Sequence, residues 1–400
     1  MTSRERVRKV LNHEIPDRVP NGLGACETTG LHVLGYDTFQ EILNIPRQMP
    51  RLNTFMSNAV FEEDVIKAME GDMLLIASPH LCNASLRGGM IQGQWKEQEL
   101  WGRIFRVPVS EQFKTRSDGS ILWKTLGAIC PKNRFFFDWP DALDLFADTI
   151  YPDPEDYCPP DSFSDEFLRD LENLAKDLYE ETEYSLCLGE TVTDLQFQPG
   201  GRISWMVLLK ENPELMKAYL EKACNASLKQ IFLIDQAVGK YVDMMLIADD
   251  IGDNRGVAIG DNLWREIYKP FYKRLFQGWH ERTSMKINLH CCGSIFSIFG
   301  DLVECGLDIY NPVQISARNM APLLLKEKFG RFLVFYGGDY DAQMMKGRSY
   351  DEVYEHVTAN LNILKKDGKH IFSGVHNLPP DIPEDHLRAF FTAWKDHRNY

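Results

Sequence analysis

The sequence lacks the features of a membrane, secreted or nucleic-acid-binding protein. No uncharged apolar run reaches the about 18 residues that a membrane-spanning helix needs, and the charged N-terminal segment lacks the apolar core of a secretory signal. Lysine and arginine total 44 against 58 aspartates and glutamates, a net charge of −14, and they form no basic block. We therefore expect a cytoplasmic protein that binds neither nucleic acid nor an anionic membrane.

Other absences concern cysteine pairing and nucleotide motifs. The nine cysteines are an odd number without the regular spacing of a disulfide framework, which favours reduced thiols. The Walker motif, G-x-G-x-x-G and G-x-S-x-G are all missing, so nucleotide binding and serine-hydrolase chemistry have no local support. What is present is the composition of a globular protein with a large core, 44% hydrophobic and 12% aromatic.

The chain alternates short β-rich segments with longer segments of helical periodicity. Strands are predicted at residues 18–25, 73–79, 185–190, 242–249, 285–290, 309–313, 333–338 and 370–375. Helices are predicted at residues 38–70, 163–181, 203–239, 263–283, 295–305, 321–328, 351–366 and 383–394. This alternation predicts an α/β fold, a (β/α)8 TIM barrel that forms a single domain over residues 1–400; a doubly wound open sheet is the alternative.

Residues 85–138 interrupt this alternation with glycines, tryptophans and alternating polar and apolar side chains. The pattern predicts an antiparallel insertion after the second strand, in a loop that lies on the active-site face of a barrel. Trp95, Trp101 and Trp123 would then provide a wall for an aromatic ring or a docking surface for a partner. A surface hairpin without a function is the alternative.

Side chains suited to metal binding and acid–base chemistry follow the predicted strands. In a barrel the C-terminal ends of the strands share one mouth. The candidates are Glu27, His80, Glu190, Asp249, Asp250, His290, Cys292, Asn311, Gln314, Asp339, Asp341 and His376. Glu190 directly follows an apolar strand, which favours a pocket carboxylate, whereas the Asp249-Asp250 doublet suits either a pocket or a turn.

The most specific local pattern is His290-Cys291-Cys292-Gly293, at the end of the fifth predicted strand. Side chains alternate along a strand, so the imidazole and the second thiol point to one side and Cys291 points away. Zinc accepts nitrogen and sulfur ligands, and a catalytic zinc keeps three protein ligands and one open position. His376, Glu190 and Cys26 are candidates for the third ligand. The alternative is a buried cysteine pair beside a histidine that caps the strand.

Segments along the whole chain together resemble the uroporphyrinogen decarboxylase superfamily. They are residues 4–20, His290-x-Cys292-Gly293, Asn311-Pro312-Val313-Gln314, Gly337-Gly338-Asp339-x-Asp341, and residues 375–383. The resemblance implies a TIM barrel. Decarboxylases of this superfamily carry N-terminal arginines that receive the carboxylates of the substrate, and the matching residues 24–30 contain none. A pocket lined by acidic side chains would disfavour an octa-anionic porphyrinogen.

The chain is more similar to the zinc- and corrinoid-dependent methyltransferases of the superfamily, of the O-demethylase type. The resemblance implies zinc on His290 and Cys292, with His376 where these enzymes usually have a third cysteine. It implies transfer of a methyl group from a methoxylated or other small donor to the cobalt of cobalamin on a separate corrinoid protein, and it is compatible with a homodimer. The catalytic residues would be Glu190 and Asp249, and the substrate-binding residues Glu27, Asn311, Gln314 and Asp339. The alternatives are a tetrapyrrole decarboxylase and a non-catalytic barrel that binds a tetrapyrrole or a partner.

Overall fold

The computed structural model describes residues 1–76, 95–138, 153–195 and 201–400. The strands in these ranges are β1 (Arg51–Asn53), β2 (Asn58–Val60), β3 (Met73–Ile76), β4 (Trp95–Leu100), β5 (Arg103–Pro108), β6 (Phe113–Thr115), β7 (Ile121–Trp123), β8 (Ala128–Cys130), β9 (Ser185–Leu188), β10 (Met244–Ala248), β11 (Lys286–His290), β12 (Ile309–Asn311), β13 (Val334–Tyr336) and β14 (His370–Ile371).

The helices surround a parallel sheet and begin at recognisable sequence signals. They are α1 (Ser3–Leu11), α2 (Tyr36–Ile42), α3 (Glu63–Ala68), α4 (Asp165–Glu181), α5 (Gly201–Glu211), α6 (Pro213–Val238), α7 (Asp261–Ile267), α8 (Lys269–His280), α9 (Phe299–Cys305), α10 (Pro322–Phe329), α11 (Tyr350–Leu364) and α12 (Glu384–His397). Capping boxes start α1, with Thr2 and Glu5, and α11, with Ser349 and Glu352. None of the helices in the described ranges combines the length and apolarity needed to cross a bilayer.

Seven strands, β3 and β9 to β14, form one parallel sheet in which neighbours follow the chain order. Residues 20–22 lie between its two edges. The N–H of Phe372, just after β14, donates to the carbonyl of Pro20 (2.9 Å), and the N–H of Asp72, just before β3, donates to the carbonyl of Asn21 (2.9 Å). The sheet is therefore curled, and this segment takes the place of an eighth strand, as in a barrel.

Two buried apolar groups lie on opposite sides of the sheet. The larger group packs helices against its outer face. The smaller group fills the inside with side chains from six strands and from α1: Val7, Val10, Leu11, Ala25, Cys26, Met73, Cys187, Met244, Leu246, Ile309, Val334, Tyr336 and Ile371. Helix α1 lies at the N-terminal ends of the strands, where Arg8 pairs with Asp243 just before β10 (2.7 Å). The opposite, C-terminal ends are left for the functional site.

The α/β fold and the parallel sheet agree with the prediction, but several elements differ from it. Residues 18–25 form isolated bridges instead of a regular strand, because Pro20 has no N–H to donate. The predicted helices at 203–239 and 263–283 are each two helices, since Pro213 and Pro270 start new ones. The predicted helix at 38–70 is wrong: it is replaced by α2, β1, β2 and α3.

Antiparallel strands follow β3 in the chain. Strand β5 pairs with β4 on one side and with β1 on the other, β1 pairs in turn with β2, and β6, β7 and β8 form a second sheet. The predicted insertion at 85–138 is described only from residue 95, so its attachment to β3 lies outside the described residues, as does His80. The sheet that contains β4 and β5 also contains β1 and β2, which precede β3 in the chain. The predicted insertion is therefore not a self-contained hairpin in the loop after β3.

A buried carboxylate fixes the N-terminal segment to the sheet. Asp72, whose side chain is fully buried, accepts hydrogen bonds from Arg6 (2.6 Å), Arg18 (2.7 Å) and the N–H of Asn21 (2.8 Å). Removing one partner of a buried ion pair leaves the other charge buried and uncompensated, which is strongly destabilising. Asp17 also pairs with Arg6 but is 43% exposed.

We expect Asp72→Asn to lower the free energy of unfolding by about 3–5 kcal/mol, because the largely buried Arg18 loses its carboxylate partner and Arg6 keeps only the partly exposed Asp17. Asp17→Asn should cost about 1 kcal/mol or less, because solvent screens its pair. Urea denaturation of the two variants and the unmodified protein measures both. An equal decrease in the free energy of unfolding in the two variants would contradict the conclusion that Asp72 fixes the N-terminal segment to the sheet.

Candidate metal centre

Three potential metal ligands meet at the C-terminal ends of the strands. His290 is the last residue of β11, Cys292 follows two positions later, and His376 follows β14. One ligand atom from each of these three residues, called the triad below, lies within 4.8 Å of the other two, and no other such group occurs in the described residues. The Nε2 atom of His290 is 3.5 Å from the Sγ atom of Cys292.

Asn311 sets the orientation and the proton position of His290. The Nδ2 atom of Asn311 donates to the carbonyl of Tyr336 (3.1 Å), which leaves Oδ1 as an acceptor. Thr28 donates to this oxygen (2.9 Å), and the Nδ1 atom of His290 lies 2.8 Å from it. His290 therefore carries its proton on Nδ1 and turns the lone pair of Nε2 towards Cys292. Metal-binding histidines in proteins are held in this way.

The charge states of the triad suit a metal ion. Burial lowers the pKa of His290, and burial with the neighbouring His290 lowers that of His376 to about 3, so both imidazoles are neutral at neutral pH. Burial and Asp250 raise the pKa of Cys292 to about 12, so its thiolate needs a bound cation. Two zinc ligands in a tetrahedral site stand roughly 3.6 Å apart, given zinc–ligand distances of about 2.0–2.3 Å. The separation of His290 and Cys292 matches this value.

Of the three ligand candidates, His376 has the ring nitrogens that are least available to a metal ion. The N–H of Asn377 donates to its Nδ1 atom (2.7 Å), so the neutral ring carries its proton on Nε2. A metal on either nitrogen must displace that proton or that hydrogen bond. Its ring nevertheless lies against His290, with 5.4 Å between the ring centroids. The residues present thus fit a zinc ion. His290 and Cys292 are already placed to bind it, and His376 must first shift its proton or give up its hydrogen bond.

A cleft of about 340 Å³ opens beside the triad. Cys292 and His376 line it, and Gln314, Tyr340 and Asp341 are among the other residues of its wall. None of the described residues that line the cleft is a lysine or an arginine. The volume lies at the lower end of the about 300–1,000 Å³ typical of small-molecule sites.

Acidic side chains lie at the strand ends on the other side of the triad. Partial burial and a hydrogen-bonded Asp194 raise the pKa of Glu190 well above its ordinary value. Glu27 is 2% exposed, and its burial raises its pKa to about 7. Glu27, Glu190 and Asp194 are together called the acidic cluster below. The charge of Glu27 also raises the pKa of Glu190, so ionising one of these two carboxyl groups makes ionising the other more costly.

The aspartates after β10 have different surroundings. Asp249 is buried, accepts a hydrogen bond from the hydroxyl of Tyr272, and has a pKa raised well above its ordinary value by burial. It faces a narrow space beside Trp205 and Trp264 and does not line the cleft. Asp250 accepts from the N–H of Cys292 (3.0 Å) and so fixes the turn that carries this ligand candidate.

The comparison with known proteins agrees with the motifs. Residues 201–397 match the family model for uroporphyrinogen decarboxylase. This half of the chain belongs to the uroporphyrinogen decarboxylase family. It contains all three residues of the triad and the described wall of the cleft, whereas all three members of the acidic cluster, Glu27, Glu190 and Asp194, lie outside the matched residues.

Solved structures support the same fold for the whole chain. A methyltransferase from Methanosarcina mazei is similar over 99% of this chain and 99% of its own, with 13% identical residues and a TM-score of 0.54. At this identity the likeness concerns the fold. An arginase from Helicobacter pylori aligns with 60% of this chain and 98% of its own at 15% identity, but its TM-score of 0.20 carries no argument. No curated protein sequence matches the chain.

The predicted substrate residues lie in different places. Gln314 lines the cleft and accepts from the N–H of Gly293 (2.6 Å), which holds the turn after Cys292. Asn311 contacts His290 instead of the cleft. Asp339 is fully buried between His370, 3.0 Å away, and the N–H of Ser373, so it does not reach the cleft.

Other predicted roles also change with the geometry. Cys26 lies inside the barrel against Thr28 (3.2 Å) and is not part of the triad. Trp123 is fully buried and donates to Glu111, so it cannot form a pocket wall, while Trp101 is half-buried and donates to Cys130 (3.4 Å). Asp194 was not among the sequence candidates, since a lone aspartate four residues after Glu190 gives no motif.

Proposed function

We propose that the protein is a zinc-dependent methyltransferase that moves a methyl group between a small donor and the cobalt of a corrinoid protein. The observation that carries this proposal is the triad, which combines two neutral imidazoles and a thiol beside a small cleft. Membership of residues 201–397 in the uroporphyrinogen decarboxylase family supports it. The similar fold of a methyltransferase from Methanosarcina mazei supports it further.

In this proposal His290, Cys292 and His376 hold the zinc ion. When zinc is bound, the site gains a Lewis acid for a thiol sulfur or an ether oxygen. Asn311 keeps the proton of His290 on Nδ1, so that Nε2 stays available as a ligand. Asp250 and Gln314 fix the backbone on both sides of Cys292 through its own N–H and that of Gly293.

Glu190 and Asp249 are the proposed catalytic carboxylates. Burial raises the pKa of both well above the ordinary value of a carboxyl group, so each keeps its proton to a higher pH than an exposed carboxyl group does. A leaving alkoxide, phenolate or thiolate needs a proton, and a carboxylic acid with a raised pKa can supply it. Tyr272 positions Asp249 by donating a hydrogen bond to its carboxyl group.

A tetrapyrrole decarboxylase is the weaker candidate. A cleft of about 340 Å³ is small for a porphyrinogen, and its described lining contains no basic side chain to receive the carboxylates of such a substrate. The acidic cluster would repel them. A non-catalytic barrel is also weaker, because it gives no reason for two histidines and a cysteine to meet at the cleft.

The test is methyl transfer to added cob(I)alamin, recorded as the spectrum of methylcob(III)alamin under anaerobic conditions. Methoxyarenes, methyl thioethers, methanol and methylamines serve as donors. We expect one donor class to react with the zinc-loaded protein, and the rate to fall to background in His290→Ala/Cys292→Ala. Cys291→Ala is the matched control, because this neighbouring thiol packs in the outer core.

Absence of methylcob(III)alamin with every donor, in protein that contains zinc, would contradict the proposal. Release of carbon dioxide from uroporphyrinogen by the same preparation would favour the decarboxylase instead. The two assays therefore separate the candidates without relying on the variants.

A further inference from the structure

Residues 95–138 carry a net charge opposite in sign to that of the whole chain. They contain eight lysines and arginines against five aspartates and glutamates, whereas the chain has a net charge of −14. Six of these basic side chains are exposed, and none of the six forms an ion pair with a residue that the structure describes: Arg106, Lys114, Arg116, Lys124, Lys132 and Arg134. Positive charge is therefore available on this segment of an acidic protein.

The second antiparallel sheet, β6 to β8, has one buried face and one outward face. Lys114, Leu122 and Ile129 are directly opposite one another across the three strands, so their side chains share a face. The neighbouring residues Phe113 and Trp123 point the other way, where their rings stack with 5.8 Å between the centroids. Lys114 is exposed and Trp123 is buried, so the face with Lys114 is the outward one.

Three more basic residues border this outward face. Arg116 and Lys124 each lie two positions beyond one of its residues, which continues the same side of the strand. Lys132 lies against the turn between β6 and β7, since a Cβ atom at Gly119 would be 3.0 Å from its side chain. The surface of these side chains is called the basic sheet face below: Lys114, Arg116, Leu122, Lys124, Ile129 and Lys132. Asp118 and Asp138 border it as well, which still leaves an excess of positive charge.

Helix α4 carries the opposite charge on its solvent side. Glu166, Asp170 and Asp177 are spaced by four and seven residues, which places their side chains on one side of the helix. Leu171 and Leu178 are buried on the other side. The three acidic residues, called the acidic stripe below, are exposed, and none has an ion pair among the residues described. The stripe is about 16 Å long, given a rise of about 1.5 Å per residue.

The two surfaces are complementary in charge and similar in size. Three strands about 4.8 Å apart make a face roughly 10 Å wide, and the lysine and arginine side chains extend it. A helix can lie across this face with its carboxylates beside the basic residues and its methylene groups against Leu122 and Ile129. Within one chain the two surfaces form no ion pair with each other in the ranges described.

The net charge of the chain determines where a second copy can approach. Two chains of net charge −14 repel each other, and salt screens this repulsion beyond about 8 Å at physiological ionic strength. Close contact is therefore favoured only where opposite charges meet. The basic sheet face provides one sign and the acidic stripe the other, both on exposed residues.

We infer that the basic sheet face of one copy of this protein docks on the acidic stripe of a second copy. The contact joins different surfaces of the two copies. It closes as a two-fold dimer when both contacts form at once, and as a ring when they form in turn around several copies. Neither surface contains a residue of the triad or of the described wall of the cleft, so the inference stands apart from the proposed methyl transfer.

Sedimentation velocity of the full-length protein alone tests this contact. We expect concentration-dependent association at about 50 mM sodium chloride, and a dissociation constant at least tenfold larger at about 500 mM, because salt screens the attraction between opposite charges. Two variants reverse one surface each: Lys114→Glu/Arg116→Glu/Lys124→Glu and Glu166→Lys/Asp170→Lys/Asp177→Lys. Each should be monomeric alone, because like charges then face each other. An equimolar mixture of the two should associate again, since each reversed surface meets an opposite charge on the other variant.

Glu266→Lys/Glu327→Lys/Glu355→Lys is the matched control, because it makes the same change in net charge on exposed glutamates of α7, α10 and α11. It should associate like the unmodified protein, and circular dichroism checks that every variant is folded. An unmodified protein that is monomeric at every concentration in low salt would overturn the inference and leave the basic sheet face to a different acidic partner. Association that survives in both reversed variants would place the contact elsewhere, and folded variants that stay monomeric when mixed would also overturn the inference.

Discussion

Purified without chelators, the protein is expected to contain about one zinc ion per chain, and His290→Ala/Cys292→Ala is expected to contain none. The double variant removes the two ligands that the structure prepares best: an imidazole with its proton on Nδ1, and a thiol 3.5 Å from Nε2. One remaining imidazole cannot hold zinc against competing buffer ligands. Elemental analysis by mass spectrometry measures the metal directly, and circular dichroism checks that the variant is folded.

Cys291→Ala is the control for this experiment, because it removes an adjacent thiol that packs in the outer core. It should retain zinc. Asn311→Ala should weaken zinc binding about 10- to 100-fold, since the ring of His290 loses the partner that orients it. Equal zinc in the unmodified protein and the double variant would place the metal elsewhere, and no zinc in either would remove the metal from the proposed function.

The third ligand can be tested by replacing it with the residue that related methyltransferases are expected to carry. His376→Cys should keep zinc, because a thiolate needs no rearranged imidazole proton. His376→Ala should lose affinity but less than the double variant, because the hydrogen bond from Asn377 shows that this ring is not prepared for a metal. An unchanged zinc affinity in His376→Ala would exclude His376 as a ligand.

The pairing of His290 with Cys292 was predictable because it depends on local geometry. Two residues separated by one position on a strand point to the same side, and Cys291 is indeed packed outwards. The mouth of the barrel was predictable for a similar reason, since seven buried strands have clear apolar patterns and parallel strands end on one face. These inferences need only the chain's own periodicity.

The roles of Asn311 and Asp339 were not predictable, because both follow strands and both are polar. Whether such a side chain faces the cleft, a ligand or the core depends on one or two residues of register. Asn311 turns to His290, and Asp339 turns to His370. The position of Asp194 beside Glu190 depends on the conformation of a loop, and no sequence motif predicts that conformation. Proline explains the helix errors at Pro213 and Pro270, where periodicity continues across a break in backbone hydrogen bonding.

Glu27→Gln is expected to make the protein more stable than the unmodified chain at pH 8. Burial raises the pKa of Glu27 from 4.5 to about 7, so ionising it in the folded state costs about 3 kcal/mol. The folded state binds more protons than the unfolded state between these two pKa values. Below pH 4.5 the ionisation of Glu27 therefore has little effect on the free energy of unfolding. Between pH 4.5 and about 7 it lowers this free energy by an increasing amount, and above about pH 7 the amount is constant.

Urea denaturation of both proteins between pH 5 and pH 8 tests this expectation, and the informative quantity is the difference in unfolding free energy between them. That difference should increase in favour of the glutamine variant by about 2–3 kcal/mol across the range. Glu180→Gln should show a constant difference, because its side chain is exposed. A pH-independent difference would mean that the carboxyl group of Glu27 has a partner in solution, and would contradict the raised pKa on which this expectation rests.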